Sequence, residues 1–214
     1  MNTKTGLPLI DQEEKASNGK KALCGVVMML LIFTGVGVGI AYLIMMFGST
    51  DLYNARIEIA KQYELKWAYI SVVIFGLAVC WLNLYPVQYK EAVMRGGNLR
   101  ANMFIYRLAA ENPDESSAVV LHEDGDLGLY NRGNRSIYHF LENCLPIVVT
   151  LPLGFFTFPF PTFVCVCIYS FGRIIYQIGY TLKGFGGHIP GFLSDRGSTF
   201  TMIGLMILAA IKQF

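Results

Sequence analysis

The chain has 214 residues, of which 54% are hydrophobic and only 15% are charged, and its mean hydropathy is +0.46. This composition is more apolar than a water-soluble domain of this size usually needs, so it predicts a membrane protein. The formal net charge is only +2, and no basic run alternates with aromatic residues. Both features argue against a nucleic-acid partner.

Apolar stretches recur along the chain, each nearly free of charge and bounded by polar or basic residues. Crossing the hydrocarbon takes roughly 20 helical residues, so these stretches predict an all-α, multi-pass integral membrane protein. They are residues 22–47, 67–87, 136–157, 162–182 and 198–211. The last stretch is short. It crosses the bilayer if Arg196 and Lys212 reach the two interfaces, and otherwise it is a re-entrant or buried helix.

The remaining segments are polar and predict the topology. Residues 1–21 form a cytosolic tail, the span at 22–47 acts as a signal anchor, and residues 48–66 form an interfacial helix or loop. Residues 89–134 form a long cytosolic loop with turn chemistry such as Asn112-Pro113-Asp114. With five spans, twelve Lys and Arg residues lie on the cytosolic side and four on the other, as the positive-inside rule requires.

The sequence predicts no metal site. His122, Glu123, Asp124 and Asp126 match neither zinc-ligand nor calcium-loop spacing, and a solvated acidic turn accounts for them. All five cysteines lie within apolar stretches, where they behave as small buried hydrophobes, so no disulfide framework is indicated.

A first polar stripe lies at the entrance to the third predicted span, in the segment NRGNRSIYHFLENCLP at 131–146. Arg132, Arg135, His139 and Glu142 follow one another at spacings of three, four and three, so they share one helical face. Glu142 lies about two turns beyond Arg135, below the interface. An ionised carboxylate there costs a few kcal/mol unless it is paired, so Glu142 needs a cationic partner.

A second polar stripe lies in the fourth predicted span, where FGRIIYQIGY at 171–180 places Arg173, Tyr176, Gln177 and Tyr180 on one face. The short link Phe158-Pro159-Phe160-Pro161 makes the two spans antiparallel neighbours, so we expect Arg173 to approach Glu142. From the residues alone, a buried ion pair with hydrogen-bonded tyrosines that holds the helices in register explains the stripes as well as a ligand site does.

These motifs resemble the MAPEG family, the membrane-associated proteins in eicosanoid and glutathione metabolism that include microsomal glutathione transferases and leukotriene C4 synthase. The resemblance covers about residues 67–214. Arg135 followed by Glu142–Pro146 (ENCLP) resembles the family's arginine-to-Glu-Asn-x-x-Pro stretch, and Gly172–Tyr180 (GRIIYQIGY) resembles its G-R-x-x-Y-x-x-G-Y signature. The two matches stand in the right order on adjacent spans.

The resemblance implies a four-helix transmembrane bundle over 67–214, here preceded by one extra N-terminal transmembrane helix, and a homotrimer that binds glutathione as co-substrate at its subunit interfaces. The implied glutathione-binding residues are Arg132, His139, Glu142, Asn143, Tyr176 and Tyr180, and the implied catalytic residues are Arg135, Tyr176 and Tyr180. In these roles arginines hold carboxylates, Glu142 takes the amine or supports an arginine, and tyrosines donate hydrogen bonds. Arg173 is implied to be structural.

Two functions remain open at the level of sequence. The first is a glutathione-dependent transferase or peroxidase that acts on lipophilic electrophiles within an endoplasmic reticulum or mitochondrial membrane. The second is a non-catalytic MAPEG-fold accessory subunit among unrelated subunits of a larger assembly, for example a respiratory one. His139 stands where the family usually has asparagine. The family's thiolate-stabilising arginine lies shortly after its second tyrosine, whereas here the stretch Thr181–Ser194 offers only Lys183 and His188, and Arg196 lies further on. A transporter or channel is disfavoured because the halves show no repeat.

Overall fold

Helices form almost all of the structure, a computed structural model that describes residues 11–90, 93, 104–108 and 119–214. Within that part of the chain there are seven α-helices, one short 3-10 helix and one pair of strands. The helices are α1 (Gln12–Phe47), α2 (Thr50–Gln62), α3 (Lys66–Leu84), the 3-10 helix (Tyr85–Tyr89), α4 (Gly125–Asn143), α5 (Leu145–Thr157), α6 (Pro159–Lys183) and α7 (Ile189–Ile211). The strands are β1 (Tyr106–Leu108) and β2 (Val119–Leu121), which pair antiparallel.

Three of these helical segments are long and apolar enough to cross a membrane, namely Glu13–Phe47, Lys66–Tyr89 and Pro159–Lys183. A fourth span exists if α4 and α5, which are bent by 49° at their junction, are counted together. The chain thus has the apolar helices of a multi-pass integral membrane protein. α7 is not among the candidate spans, although its 23 residues make it longer than the predicted stretch at 198–211.

The bend between α4 and α5 divides the third predicted span, 136–157, into two helices. Pro146 lies in the first turn of α5, directly after the last residues of α4. Proline has no N–H to donate to the carbonyl four residues earlier, and its ring crowds that carbonyl, so a continuous helix breaks here. The polar stripe therefore lies almost wholly on α4, and α5 carries the apolar half of the span.

α1 begins well before the apolar stretch at 22–47, so the predicted tail 1–21 is partly helical. Asp11 caps the helix by accepting a hydrogen bond from the backbone N–H of Glu14 at 2.6 Å. Lys15 Nζ forms an ion pair with Asp126 Oδ2 at 2.6 Å, which ties the first turn of α1 to the first turn of α4. Residues 1–10 of the predicted tail lie outside the described residues.

The predicted cytosolic loop at 89–134 is shorter than expected, because α4 already begins at Gly125. The β1–β2 pair lies within this loop and is a departure from a purely helical fold. Asn131, which is fully buried, fixes the pair to α4: its side-chain amide binds the backbone of Ile105 and the carbonyl of His122 at 2.7–2.9 Å. The predicted Asn112–Asp114 turn lies outside the described residues.

α6 is the central helix and packs against α3, α4, α5 and α7. The core lies around it and consists of Leu82, Phe140, Ile147, Cys165, Tyr169 and Met202. The hairpin of α6 and α7 is especially tight: a Cβ at Gly191 would lie 2.6 Å from Tyr176 Cα, and one at Gly172 would lie 2.7 Å from Ser194 Cβ. Glycine is therefore required where these two helices cross, and this contact sets the depth of the polar residues on both.

Candidate functional site

One end of the bundle collects the polar side chains. The first turns of α1 and α4 meet there through Lys15 and Asp126, and the last turn of α6 meets α4 where Arg132 Nε donates to the Thr181 carbonyl at 2.9 Å. α4 and α6 are therefore antiparallel neighbours with their polar faces at the same end. This arrangement follows from the short link at Phe158, which joins α5 directly to α6.

A buried ion pair lies deepest in this cluster. Arg173 Nη1 of α6 lies 2.6 Å from Asp195 Oδ2 of α7, and the two side chains are 1% and 0% exposed. Arg196 Nε shares the same carboxylate through Oδ1 at 2.7 Å. The expected pair between Arg173 and Glu142 is wrong, because α7 supplies the carboxylate from the other side of α6.

Arg173 also organises the α4 side of the cluster. Its Nη1 lies 3.1 Å from His139 Nδ1, and its Nη2 donates to the Ser136 carbonyl at 3.2 Å. Because a guanidinium only donates, His139 Nδ1 must accept, which leaves the ring proton on Nε2. The guanidinium carbon also lies 4.5 Å from the centroid of the Tyr176 ring, a cation–π contact. Arg173 is thus fixed by contacts to α4 and α7 and to the next turn of its own helix.

Aromatic rings form the middle layer of the cluster. The His139 imidazole stacks on Tyr176 with centroids 4.8 Å apart and ring planes 11° from parallel. On the α7 side, His188 lies 5.1 Å from Tyr176 and 5.8 Å from Tyr180, ring centroid to ring centroid. Tyr176 is buried between two imidazoles, whereas Tyr180, one turn closer to the end of α6, is half-buried and more accessible.

The outermost layer contains an exposed ion pair. Arg135 donates two hydrogen bonds to the carboxylate of Glu142, at 2.8 and 3.3 Å, and the two side chains are 41% and 52% exposed. This is the partner that Glu142 required, two turns away on its own helix. The charge of Arg135 also acts on the hydroxyl groups of Tyr176 and Tyr180. Arg135 therefore lies within electrostatic range of both tyrosines, and its ion pair with Glu142 is solvent-accessible.

Two other predicted binding residues are occupied by the protein itself. Arg132 donates to the carbonyls of Thr181 and Glu123, so it ties α4 to the end of α6 and to the turn before α4. Asn143, the last residue of α4, donates its side-chain amide to the His139 carbonyl one turn earlier, at 2.8 Å. The charge of Arg132 also acts on Tyr180.

The structure thus brings together Arg135, Glu142, His139, Tyr176 and Tyr180 and leaves Asn143 as a helix-terminating residue. Sequence reasoning missed the role of Asp195. Its signal was the charged pair Asp195-Arg196 within an otherwise apolar C-terminal stretch, close after the turn that follows α6. The sequence indicates His188 only as a cation available after the second tyrosine, whereas the structure places its ring near both tyrosines.

The charges around the tyrosines suit an anionic or zwitterionic ligand. Arg135, Arg173 and Asp195 act electrostatically on Tyr176, and Arg132, Arg135 and Glu123 act on Tyr180. Glu142 and Arg196 are paired with Arg135 and Asp195, respectively. The buried pair has little freedom to rearrange, but the exposed pair can exchange its partner for a ligand. No group of three or more His, Cys, Asp or Glu residues within the described segments could hold a metal ion.

Comparisons with known proteins give no relative: no family model, no curated protein and no solved structure matches the chain.

Proposed function

We propose that this chain is a MAPEG-like integral membrane protein that binds glutathione at the polar end of α4 and α6 and uses it as a transferase or peroxidase on lipophilic electrophiles. The observation that carries this proposal is the exposed Arg135–Glu142 pair beside Tyr176 and Tyr180. The two motif resemblances supply the identity of the ligand. A homotrimer in the endoplasmic reticulum or mitochondrial membrane belongs to the same proposal.

Glutathione and the outer layer of the site carry complementary chemical groups. Glutathione carries two carboxylates, one ammonium group and one thiol, and the outer layer of the site offers a guanidinium, a carboxylate and a tyrosine hydroxyl. On binding, Arg135 exchanges Glu142 for a ligand carboxylate, and Glu142 receives the ligand ammonium group. One internal ion pair is thereby replaced by two intermolecular ones. The remaining N–H groups of Arg132 add a second cation for the other carboxylate.

The reaction requires a thiolate next to the lipid phase. A free thiol is mostly protonated at neutral pH, and a nearby guanidinium or hydroxyl donor favours the thiolate. The Tyr180 hydroxyl and the Arg135 guanidinium provide this stabilisation. In the transferase reaction the thiol proton passes to water, the sulfur forms a bond to an electrophilic carbon, and the leaving group departs with its electron pair. In the peroxidase reaction two thiols are oxidised to a disulfide, and a peroxide is reduced to an alcohol and water.

Equilibrium binding of glutathione to detergent-purified protein, measured by calorimetry, tests this proposal. Arg135→Ala removes a charged donor and should weaken binding about tenfold or more. Lys61→Ala is the matched control, because Lys61 also belongs to an exposed ion pair, with Glu58 on α2. Affinity that is unchanged in Arg135→Ala, or no binding to the unaltered protein at millimolar glutathione, would overturn the proposal.

A specific observation favours the accessory role as a second candidate. The apolar window of α1 is only 6% buried, and a Cβ at Gly35 or Gly39 would meet no atom of the described residues within 4 Å. These glycines lower helix propensity without a packing reason in the part of the chain that the structure describes, whereas small residues four apart let transmembrane helices approach closely. In this candidate α1 packs against another subunit.

The mass of the assembly extracted in mild detergent separates the two candidates. Three copies of this chain alone favour the enzyme, and a single copy among unrelated chains favours the accessory role. If the chain is an accessory subunit, Gly39→Leu should break the heteromeric assembly. If the chain is the enzyme, this substitution should leave the homotrimer intact.

A further inference from the structure

Arg173 Nη1 connects a buried carboxylate to the imidazole of His139. It lies 2.6 Å from Asp195 Oδ2 and 3.1 Å from His139 Nδ1. Each terminal nitrogen of a guanidinium carries two hydrogens, so Nη1 can donate to both partners at the same time. Asp195 on α7, Arg173 on α6 and His139 on α4 therefore form one chain of hydrogen bonds across the bundle, with Arg173 as its middle member.

The two charged members of this chain have little freedom to move. Arg173 and Asp195 are 1% and 0% exposed, and Arg196 Nε holds the second oxygen of the Asp195 carboxylate at 2.7 Å. Arg173 Nη2 donates to the carbonyl of Ser136, one turn before His139 on α4. Charge-assisted hydrogen bonds in a buried setting are strong and depend on geometry. The guanidinium therefore approaches His139 from a fixed direction.

This approach holds the imidazole of His139 in one tautomer. Because a guanidinium only donates, Nδ1 accepts and cannot carry a proton while the contact with Arg173 lasts. The ring also stacks on Tyr176 with the two planes only 11° from parallel, which fixes its rotation. The single ring proton is on Nε2, so His139 is a neutral hydrogen-bond donor at that nitrogen.

Nε2 points away from Arg173 and is available to a ligand. His139 is half-buried, its Nε2 makes no hydrogen bond to a described residue, and this atom is not among the buried polar atoms without a partner. Arg135 and Glu142 flank His139 on the same face of α4, one turn to either side, and both interact electrostatically with the ring. The imidazole therefore lies between the buried ion pair and the exposed one.

We propose that His139 is a ligand-binding donor and that Asp195, acting through Arg173, is the positioning residue that holds it in the Nε2–H tautomer. The identity of the ligand rests on the proposed function: Nε2–H donates to a carboxylate or carbonyl oxygen of glutathione, and Glu142 accepts from the ammonium group. His139 is not the base that removes the thiol proton, because Nδ1 is occupied and Nε2 already carries its proton.

Long-range ¹⁵N–¹H correlation spectra of the protein with labelled histidine, recorded in detergent at neutral pH without ligand, test the tautomer. The chain has three histidines, and the signals that are lost in His139→Gln belong to His139. We expect an unprotonated Nδ1 and a protonated Nε2. The opposite tautomer, an even mixture of the two or an imidazolium would overturn this inference and leave the proposed function standing.

Two substitutions of His139 separate its donor from its packing. His139→Phe keeps a ring against Tyr176 but has no nitrogen, so it should weaken the calorimetric binding of glutathione about fivefold. His139→Gln offers an oxygen to Arg173 and an N–H to the ligand, as the imidazole does, and should bind within about twofold of the unaltered protein.

Unchanged affinity in His139→Phe, or an equal loss in both variants, would overturn the donor role. No binding of glutathione to the unaltered protein would overturn the proposed function and, with it, the ligand of this donor.

The double variant Arg173→Met with Asp195→Asn tests the positioning role. It removes both charges of the buried pair together, so neither is left without its partner. In the folded variant we expect a mixture of both His139 tautomers and a loss of glutathione affinity similar to that of His139→Phe. A pure Nε2–H tautomer with unchanged affinity would mean that the buried pair only stabilises the fold. If this variant does not fold, the spectrum of the unaltered protein and the His139 variants still decide the inference.

Discussion

Arg173 and Asp195 form a buried ion pair between α6 and α7. Both are almost completely buried, and the guanidinium also binds His139 and the Ser136 carbonyl. Removing one partner of a buried ion pair leaves the other charge without compensation, which typically costs about 3–5 kcal/mol. In the proposed enzyme this pair is structural: it fixes the plane of His139 and the position of Tyr176.

Asp195→Asn should therefore destabilise the protein by about 3–5 kcal/mol, seen as a lower unfolding temperature in detergent. Asp51→Asn is the control, because Asp51 is exposed in the first turn of α2 and should change stability by no more than about 0.5 kcal/mol. Equal effects of the two substitutions would contradict the buried pair.

Tyr176 and Tyr180 differ in burial, so substitutions at the two positions test packing and ligand binding separately. Tyr176 is buried between His139 and His188, while Tyr180 is half-buried next to the exposed end of the site.

Tyr180→Phe should keep the unfolding temperature and lower the affinity for glutathione about fivefold, since it removes one hydroxyl from an accessible edge. Tyr176→Ala should lower the unfolding temperature, because it leaves a cavity between two imidazoles. Calorimetry and thermal unfolding of both variants measure the contrast. Normal stability of Tyr176→Ala would mean that the aromatic layer does not pack as described.

The close crossing of α6 and α7 is the contact between elements that positions the site. Gly191 faces the backbone of Tyr176 and Gly172, so the two helices approach to a distance that only glycine permits. This approach brings Asp195 to Arg173 and His188 to the tyrosines.

Gly191→Ala should push the helices apart and lower the unfolding temperature, because the added Cβ would overlap backbone atoms that cannot move independently. The Cβ added by Gly197→Ala on the same helix meets no atom of the described segments within 4 Å, so this substitution should stabilise the protein by about 0.5–1 kcal/mol through helix propensity. Effects of the same sign in both variants would contradict the crossing geometry.

At the scale of the whole molecule, composition and apolar periodicity predict a multi-pass helical membrane protein, and the apolar helices bear this out. The helical periodicity also places Arg135, His139 and Glu142 on one face of α4. Periodicity does not reveal which helix contributes the partner of a charge, so it gives Asp195 no role. It also does not reveal the bend at Pro146 or the early start of α1, where Lys15 contacts Asp126, 111 residues away.

The proposed function depends on one property of the assembled site, the stabilisation of a glutathione thiolate. Ultraviolet absorbance of the thiolate, recorded at neutral pH while glutathione is titrated into the purified protein, measures it directly. We expect a thiolate signal that saturates together with calorimetric binding, is lost in Arg135→Ala and is retained in Lys61→Ala. Saturated binding without any thiolate signal would contradict the account.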